Sequence, residues 1–118
     1  MKTRLMNKPQ IYLADIIHNY VLSTDSFYVV PLNIGYIGAY LKESLKDSIE
    51  IKLFKYPDKL AEEIKMRPPD IIGFSFYTWN EELVFYFARK IKETNPNTLV
   101  VLGGRTYQQL RHVCPIFF

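Results

Sequence analysis

The fold is decided by the stretch PDIIGFSFYTWN at residues 69–80. Its first part, residues 70–75, is apolar at both alternating sets of positions, which predicts a central strand buried on both faces. A helix is predicted at about residues 79–94, because apolar residues recur there at helical spacing. Thr78 and Glu81 fit a capping box at its start. A strand that leads directly into a helix indicates a parallel sheet with crossover helices.

Strands and helices alternate on both sides of this stretch. The other predicted elements are a strand at residues 10–14, a helix at 33–46, an edge strand at 49–54, a short helix after Pro57 and a strand at 98–102. This alternation predicts a flavodoxin-like (Rossmann-like) α/β fold, a three-layer sandwich around a parallel sheet in the order 2-1-3-4. The second strand is placed at the edge because its apolar residues, Ile49, Ile51 and Leu53, alternate with charged ones and predict one buried face. Only eleven residues follow Tyr107, so we expect the fifth strand of such a fold to be missing or truncated.

The helix predicted at residues 33–46 carries an asparagine at its start and two glycines in its first turns. Asn33 is placed to cap the N-terminus. Gly35 and Gly38 each cost about 1 kcal/mol relative to alanine inside a helix. A sequence that carries this cost twice predicts that another group packs closely against the helix.

Composition excludes several classes of protein. The net charge of the 118-residue chain is +3, too small to indicate binding to nucleic acid. The first thirty residues lack the features of a signal peptide, and no apolar run approaches the roughly 18 residues of a membrane span. The single cysteine, Cys114, fits a reducing compartment, so we expect a cytoplasmic protein without membrane contact. We expect a leader at residues 1–9, one domain at 10–107 and an atypical tail at 108–118.

The candidate ligand contacts follow from the predicted sheet. Open α/β sheets bind ligands at the carboxyl ends of the strands, beside the point where the strand order reverses. Asp15 closes the first strand, and Ser75 offers a hydroxyl at the end of the third. Gly103 and Gly104, at the end of the fourth, permit close approach of a flat and bulky ligand.

Five segments together resemble a known family: LADIIH, VPLNIGYIGAYL, LFKYP, PDIIGFSFYTWN and VVLGGRTY. They look like the N-terminal cobalamin (vitamin B12)-binding domain of radical SAM enzymes, in the class of the anaerobic magnesium-protoporphyrin cyclase. The resemblance covers about residues 10–107 and implies a corrinoid bound at the carboxyl edge of the sheet. It implies contacts from Asp15, Asn33, Gly35, Ser75, Tyr77, Gly103 and Gly104.

The wider cobalamin-binding family uses three motifs. Residues 75–77 (SFY) stand where that family has Ser-x-Leu, and residues 103–104 (GG) match its Gly-Gly motif. In place of Asp-x-His-x-x-Gly the chain has DIIH at residues 15–18, which puts the histidine one residue too far on. The resemblance therefore implies that cobalamin binds without a protein histidine on cobalt, and His18 is only a secondary candidate for a metal ligand.

The resemblance also implies a partner. In this family cobalamin works beside a radical SAM domain, which holds a 4Fe-4S cluster and S-adenosylmethionine. That cluster needs a Cys-x-x-x-Cys-x-x-Cys motif, and this chain has one cysteine. The radical SAM domain is thus expected downstream but absent from this chain, which would bind cobalamin without catalysing a reaction alone. We also expect self-association through the exposed sheet edge.

Two other functions stay open at this point. One is a non-catalytic protein-interaction domain, and the other is a flavin- or nucleotide-binding module of the same fold. No Gly-x-Gly-x-x-Gly follows the first strand, which argues against a dinucleotide site. A response-regulator receiver is excluded because Ser75 stands where a receiver needs an aspartate.

Overall fold

The computed structural model describes residues 8–17, 32–77 and 79–104, in which strands and helices alternate. The strands are β1 (Gln10–Ala14), β2 (Glu50–Phe54), β3 (Ile71–Ser75) and β4 (Leu99–Gly103). The helices are α1 (Leu32–Leu45), α2 (Pro57–Met66) and α3 (Glu81–Thr94), and a 3-10 turn at Lys46–Ser48 follows α1. Every element predicted from the sequence is present, with ends that differ by no more than two residues.

The four strands run parallel in the order β2-β1-β3-β4, which confirms the predicted fold class. β1 and β3 lie at the centre because their side chains are apolar on both faces. The register pairs Ile11 with Ile51 on one side and with Ile71 on the other. The strand order reverses between β1 and β3, so the switch point lies there.

The larger part of the core lies between the sheet and the helices α2 and α3. Alternate strand residues face this layer, and Tyr12, Ile72 and Phe74 among them are almost fully buried. Leu60 of α2 is fully buried against them. The apolar stripe of α3 consists of Val84, Phe87, Ala88 and Ile91. Because each buried apolar side chain contributes about 1.5–3 kcal/mol, this layer supplies most of the hydrophobic stabilisation.

The opposite face of the sheet is covered by α1 alone within the described residues. A smaller cluster of Ile11, Leu13 and Ile34 joins this helix to β1. Farther across the same face, Leu99 and Val101 of β4 are 45% and 47% exposed. A groove is therefore left between α1 and β4.

The edge strand β2 departs from the alternation expected of it. Ile51 packs against the smaller cluster, but Leu53, expected on the same buried face, is 49% exposed. The residue of α1 that approaches Leu53 is Gly38, which has no side chain. Phe54, on the other face of the strand, is buried.

The start of α1 also differs from the prediction. The helix begins at Leu32, so Asn33 lies inside its first turn and does not cap it. Close packing is confirmed at Gly38, where an added Cβ would lie 3.2 Å from Leu53 Cδ2. At Gly35 the same Cβ would find no described atom within 4 Å, so close packing does not account for this glycine.

We expect Gly35→Ala to raise the free energy of unfolding by about 0.5–1 kcal/mol, because alanine favours a helix and the added methyl meets open space. Urea unfolding of the two proteins measures the difference. Gly38→Ala is the matched control, and it should gain less because the Leu53 side chain must give way. A loss of stability in Gly35→Ala would contradict the open surroundings of this residue.

The start of α3 differs from the capping box expected from the sequence. The cap position is occupied by Asn80 rather than Thr78, and α3 begins at Glu81. Thr78 itself lies outside the described residues. No helix in the described part of the chain has the length and apolar character needed to cross a membrane.

Candidate functional site

The groove on the α1 face opens at the carboxyl ends of the strands, beside the switch point between β1 and β3. Its volume is about 770 Å³, within the usual range for small-molecule sites. Its walls are mainly aliphatic, with side chains from three strands and α1: Ile11, Leu13, Ile34, Ile37, Ile71 and Val101. Such a lining favours an apolar group in the depth of the groove.

Five of the residues predicted to contact a ligand line this groove. They are Asn33, Ser75, Tyr77, Gly103 and Gly104, which come from α1, the end of β3 and the end of β4. The fold thus brings together residues that are up to 71 positions apart in the chain. Asp15 and Gly35 are not among the lining residues, and their roles as ligand contacts stay predictions. His18 lies outside the described residues.

The ends of β3 and β4 pack closely against each other through backbone atoms. The amide N–H of Phe76 donates a hydrogen bond to the carbonyl oxygen of Gly103 at 2.7 Å. Gly104 has φ +150°, and a Cβ added there would lie 1.9 Å from the carbonyl oxygen of Phe76. Only glycine fits this contact, so the second glycine of the pair is required by the shape of the groove rim.

Tyr77 connects the rim of the groove to α1. The side-chain amide of Asn33 donates a hydrogen bond to the Tyr77 hydroxyl at 2.5 Å. The Tyr77 ring also stacks on Trp79, with ring centroids 4.5 Å apart and planes 10° from parallel. Trp79 is 67% exposed, so the pair presents an aromatic surface to solvent at the mouth of the groove.

Gly73 and Asn80 shape this site, although neither was among the predicted contacts. Gly73, on β3, lines the floor of the groove, and a Cβ added there would lie 3.2 Å from Leu13 Cδ2. A glycine inside an otherwise aliphatic strand was the available signal, because such a glycine often marks a close approach to a ligand. Asn80, fully buried behind the rim, gave no signal beyond its preference for helix starts.

Asp15, at the end of β1, has a perturbed pKa. Burial beside the end of β1 raises the pKa of its carboxyl above the ordinary value, and the charge of Lys55 opposes this effect. Within the described residues, no group of three or more His, Cys, Asp or Glu side chains is placed to hold a metal ion. The aliphatic walls of the groove suit a largely apolar ligand.

We expect Asp15→Asn to be more stable than the natural chain at pH 7. A raised pKa means that the folded state disfavours the ionised carboxyl, so stability falls as the pH rises through the folded pKa. The effect should be modest, because the side chain is only half-buried, and should vanish below the ordinary pKa of 3.8. Melting temperatures of both proteins at pH 3 and pH 7 measure it. An equal difference at both pH values would contradict this electrostatic origin.

Comparison with known protein families identifies a match that covers most of the chain. A family model described as the B12 binding domain matches residues 19–113. The matched range contains α1, β2, β3 and β4, and with them every groove residue outside β1. No curated protein matches the chain.

Proposed function

The chain belongs to the B12-binding domain family, and on this premise we propose that it binds cobalamin in the groove between α1 and the sheet. The observation that carries the proposal is the groove itself. The groove lies at the switch point, where open α/β sheets bind their ligands. It has a volume of about 770 Å³, aliphatic walls and a mouth bordered by glycines.

The groove residues fit the chemistry of cobalamin. This ligand combines a flat corrin ring that bears amide side chains with a nucleotide arm that ends in an apolar benzimidazole. The aliphatic walls and the bare floor at Gly73 match a flat apolar base. Polar groups at the mouth match the amides, since Asn33, Ser75 and Tyr77 all line it. When bound, cobalamin supplies a cobalt centre that can carry a methyl group or assist radical chemistry.

We further propose that cobalamin binds here without a histidine ligand from the protein. Asp15 is followed by a histidine at the third position after it, one residue beyond the spacing of the family motif. No other histidine stands between His18 and His112, so neither the end of β3 nor that of β4 offers one. The corrinoid is then held by contacts along the groove rather than by a bond to cobalt.

The partner we propose is a radical SAM domain in the same parent protein, within the cytoplasm. The support is the resemblance of residues 69–80 and of the other four segments to that class. The chain's single cysteine cannot supply the three thiolates of an iron–sulfur cluster motif. The function proposed for this chain is therefore presentation of cobalamin, and catalysis belongs to the partner domain. Among the described strands β4 pairs only with β3, and this supports the self-association that we propose through this edge of the sheet.

The experiment is an absorbance titration of the purified chain with hydroxocobalamin, with circular dichroism to confirm folding. We expect a spectral change that saturates near one equivalent, and the same change in His18→Ala. A folded chain that leaves the cobalamin spectrum unchanged and retains no cobalamin on gel filtration would overturn the proposal. If the natural chain shows the spectral change and His18→Ala does not, cobalamin binding stands, but the proposal that no protein histidine binds the cobalt is overturned.

A further inference from the structure

Asn80 is a polar side chain with no exposure to solvent, placed behind the rim of the groove. Its amide group donates to the carbonyl oxygens of Ile16 at 3.2 Å and of Ser75 at 2.9 Å. Its side-chain oxygen accepts a hydrogen bond from the backbone N–H of Tyr77 at 2.9 Å. All of these partners are backbone atoms at the end of β3 or in the loops that follow β1 and β3.

The position of Asn80 makes this arrangement unusual. It is the N-cap residue of α3, where an asparagine side chain normally accepts a hydrogen bond from the helix and contributes about 1 kcal/mol. In this structure the side chain makes no cap bond. Its amide group and its oxygen bond instead to Ser75 and Tyr77 on the β3 side of the switch point and to Ile16 on the β1 side.

These bonds fix the part of the loop that carries the ligand-facing groups. Ser75 and Tyr77 both line the groove, and they are the residues whose backbone Asn80 holds. The Tyr77 ring in turn stacks on Trp79, and the Tyr77 hydroxyl accepts the hydrogen bond from Asn33 of α1. Asn80 does not itself line the groove, but a substitution of Asn80 would alter the groove by shifting Tyr77.

We propose that Asn80 is the positioning residue of the ligand site, joining the β1 and β3 loops so that Ser75 and Tyr77 face the groove. This inference rests on the proposed function, because the ligand that the loops face is cobalamin. An amide side chain can make all three of these hydrogen bonds, since it offers two donors and one acceptor in one plane. A carboxylate of the same shape would set negative oxygens against the carbonyls of Ile16 and Ser75.

The test compares Asn80→Asp and Asn80→Ala with the natural chain at neutral pH. Asn95→Ala is the matched control, because Asn95 occupies the other end of α3 and its side chain bonds to the adjacent Thr94. Cobalamin affinity is measured by titration, and near-ultraviolet circular dichroism reports the stack of Tyr77 on Trp79, the chain's single tryptophan. Far-ultraviolet circular dichroism confirms that each variant is folded.

Both Asn80 variants should lose at least about tenfold in affinity, or about 1.4 kcal/mol, together with the near-ultraviolet signal of the stack. Asn95→Ala should keep both. Folded Asn80 variants that bind as tightly as the natural chain, or that lose affinity with the stack signal intact, would overturn the inference.

Two further outcomes are separated by the same measurements. If both variants unfold, the inference is tested in the natural chain by NMR, through the side-chain amide resonances of Asn80. They should shift when cobalamin is added, and unchanged resonances at saturation would overturn the inference. If the natural chain binds no cobalamin, the proposed function fails, and an intact stack signal in the variants would separately show that Asn80 does not position Tyr77.

Discussion

Gly104→Ala should destabilise the chain by at least about 1–3 kcal/mol, the usual cost of a strained backbone position. The added Cβ would lie 1.9 Å from the carbonyl oxygen of Phe76, which is a backbone atom and cannot rotate away. The φ of +150° adds strain for any residue with a side chain. Relief requires the ends of β3 and β4 to separate, which breaks the bond from Phe76 to Gly103.

Gly103→Ala is the matched control for this prediction. The two glycines are adjacent, but an added Cβ at Gly103 meets no described atom within 4 Å. Urea unfolding should therefore show a change below about 1 kcal/mol for Gly103→Ala and a clearly larger loss for Gly104→Ala. Equal effects at the two positions would contradict the packing of Gly104 on the loop after β3.

Gly73→Val should abolish or greatly weaken cobalamin binding while the chain stays folded. Gly73 lines the groove between its register neighbours Leu13 and Val101, so the valine side chain of the variant would project into the groove. Valine would fill the floor with branched carbon and remove the space for a flat base. Stability should change little, because the strand preference of valine offsets the tight contact with Leu13.

The loss of affinity should grow with the size of the side chain at residue 73. Gly73→Ala adds one methyl 3.2 Å from Leu13 Cδ2 and should reduce affinity less than Gly73→Val, which should lose at least about tenfold, or about 1.4 kcal/mol. Cobinamide, a corrin without the nucleotide arm, is the comparison ligand, and its binding should be spared. Undiminished cobalamin affinity in a folded Gly73→Val protein would show that the ligand does not use the groove floor.

The fold could be predicted because its signals are local. β1 and β3 are short apolar runs, β2 carries alternating charges, and the stripes of α2 and α3 have clear helical spacing. These patterns predict the order of the strands in a parallel sheet, because each one indicates how many faces of an element are buried.

The details of the site depend on contacts between distant residues, which a single sequence does not show. Asn33 and Asn80 both have the side chain of a good helix cap, yet Asn33 lies inside α1 and the Asn80 side chain makes no cap hydrogen bond. Asn33 instead bonds Tyr77, 44 positions away, and Asn80 bonds Ile16, 64 positions away. The same limit applies to the glycines, since Gly35 and Gly38 share a helix but only Gly38 touches the sheet.

The most direct test of the central claim is amide NMR of the isotope-labelled chain during titration with cobalamin. Cobalamin bound at the carboxyl edge on the α1 face should shift the resonances of Gly73, Ser75, Tyr77, Gly103 and Gly104. Resonances from the outer surface of α2 and α3 should stay unchanged and serve as the internal control. A folded chain with no shifts at saturating cobalamin, or with shifts centred on α2 and α3, would contradict the account.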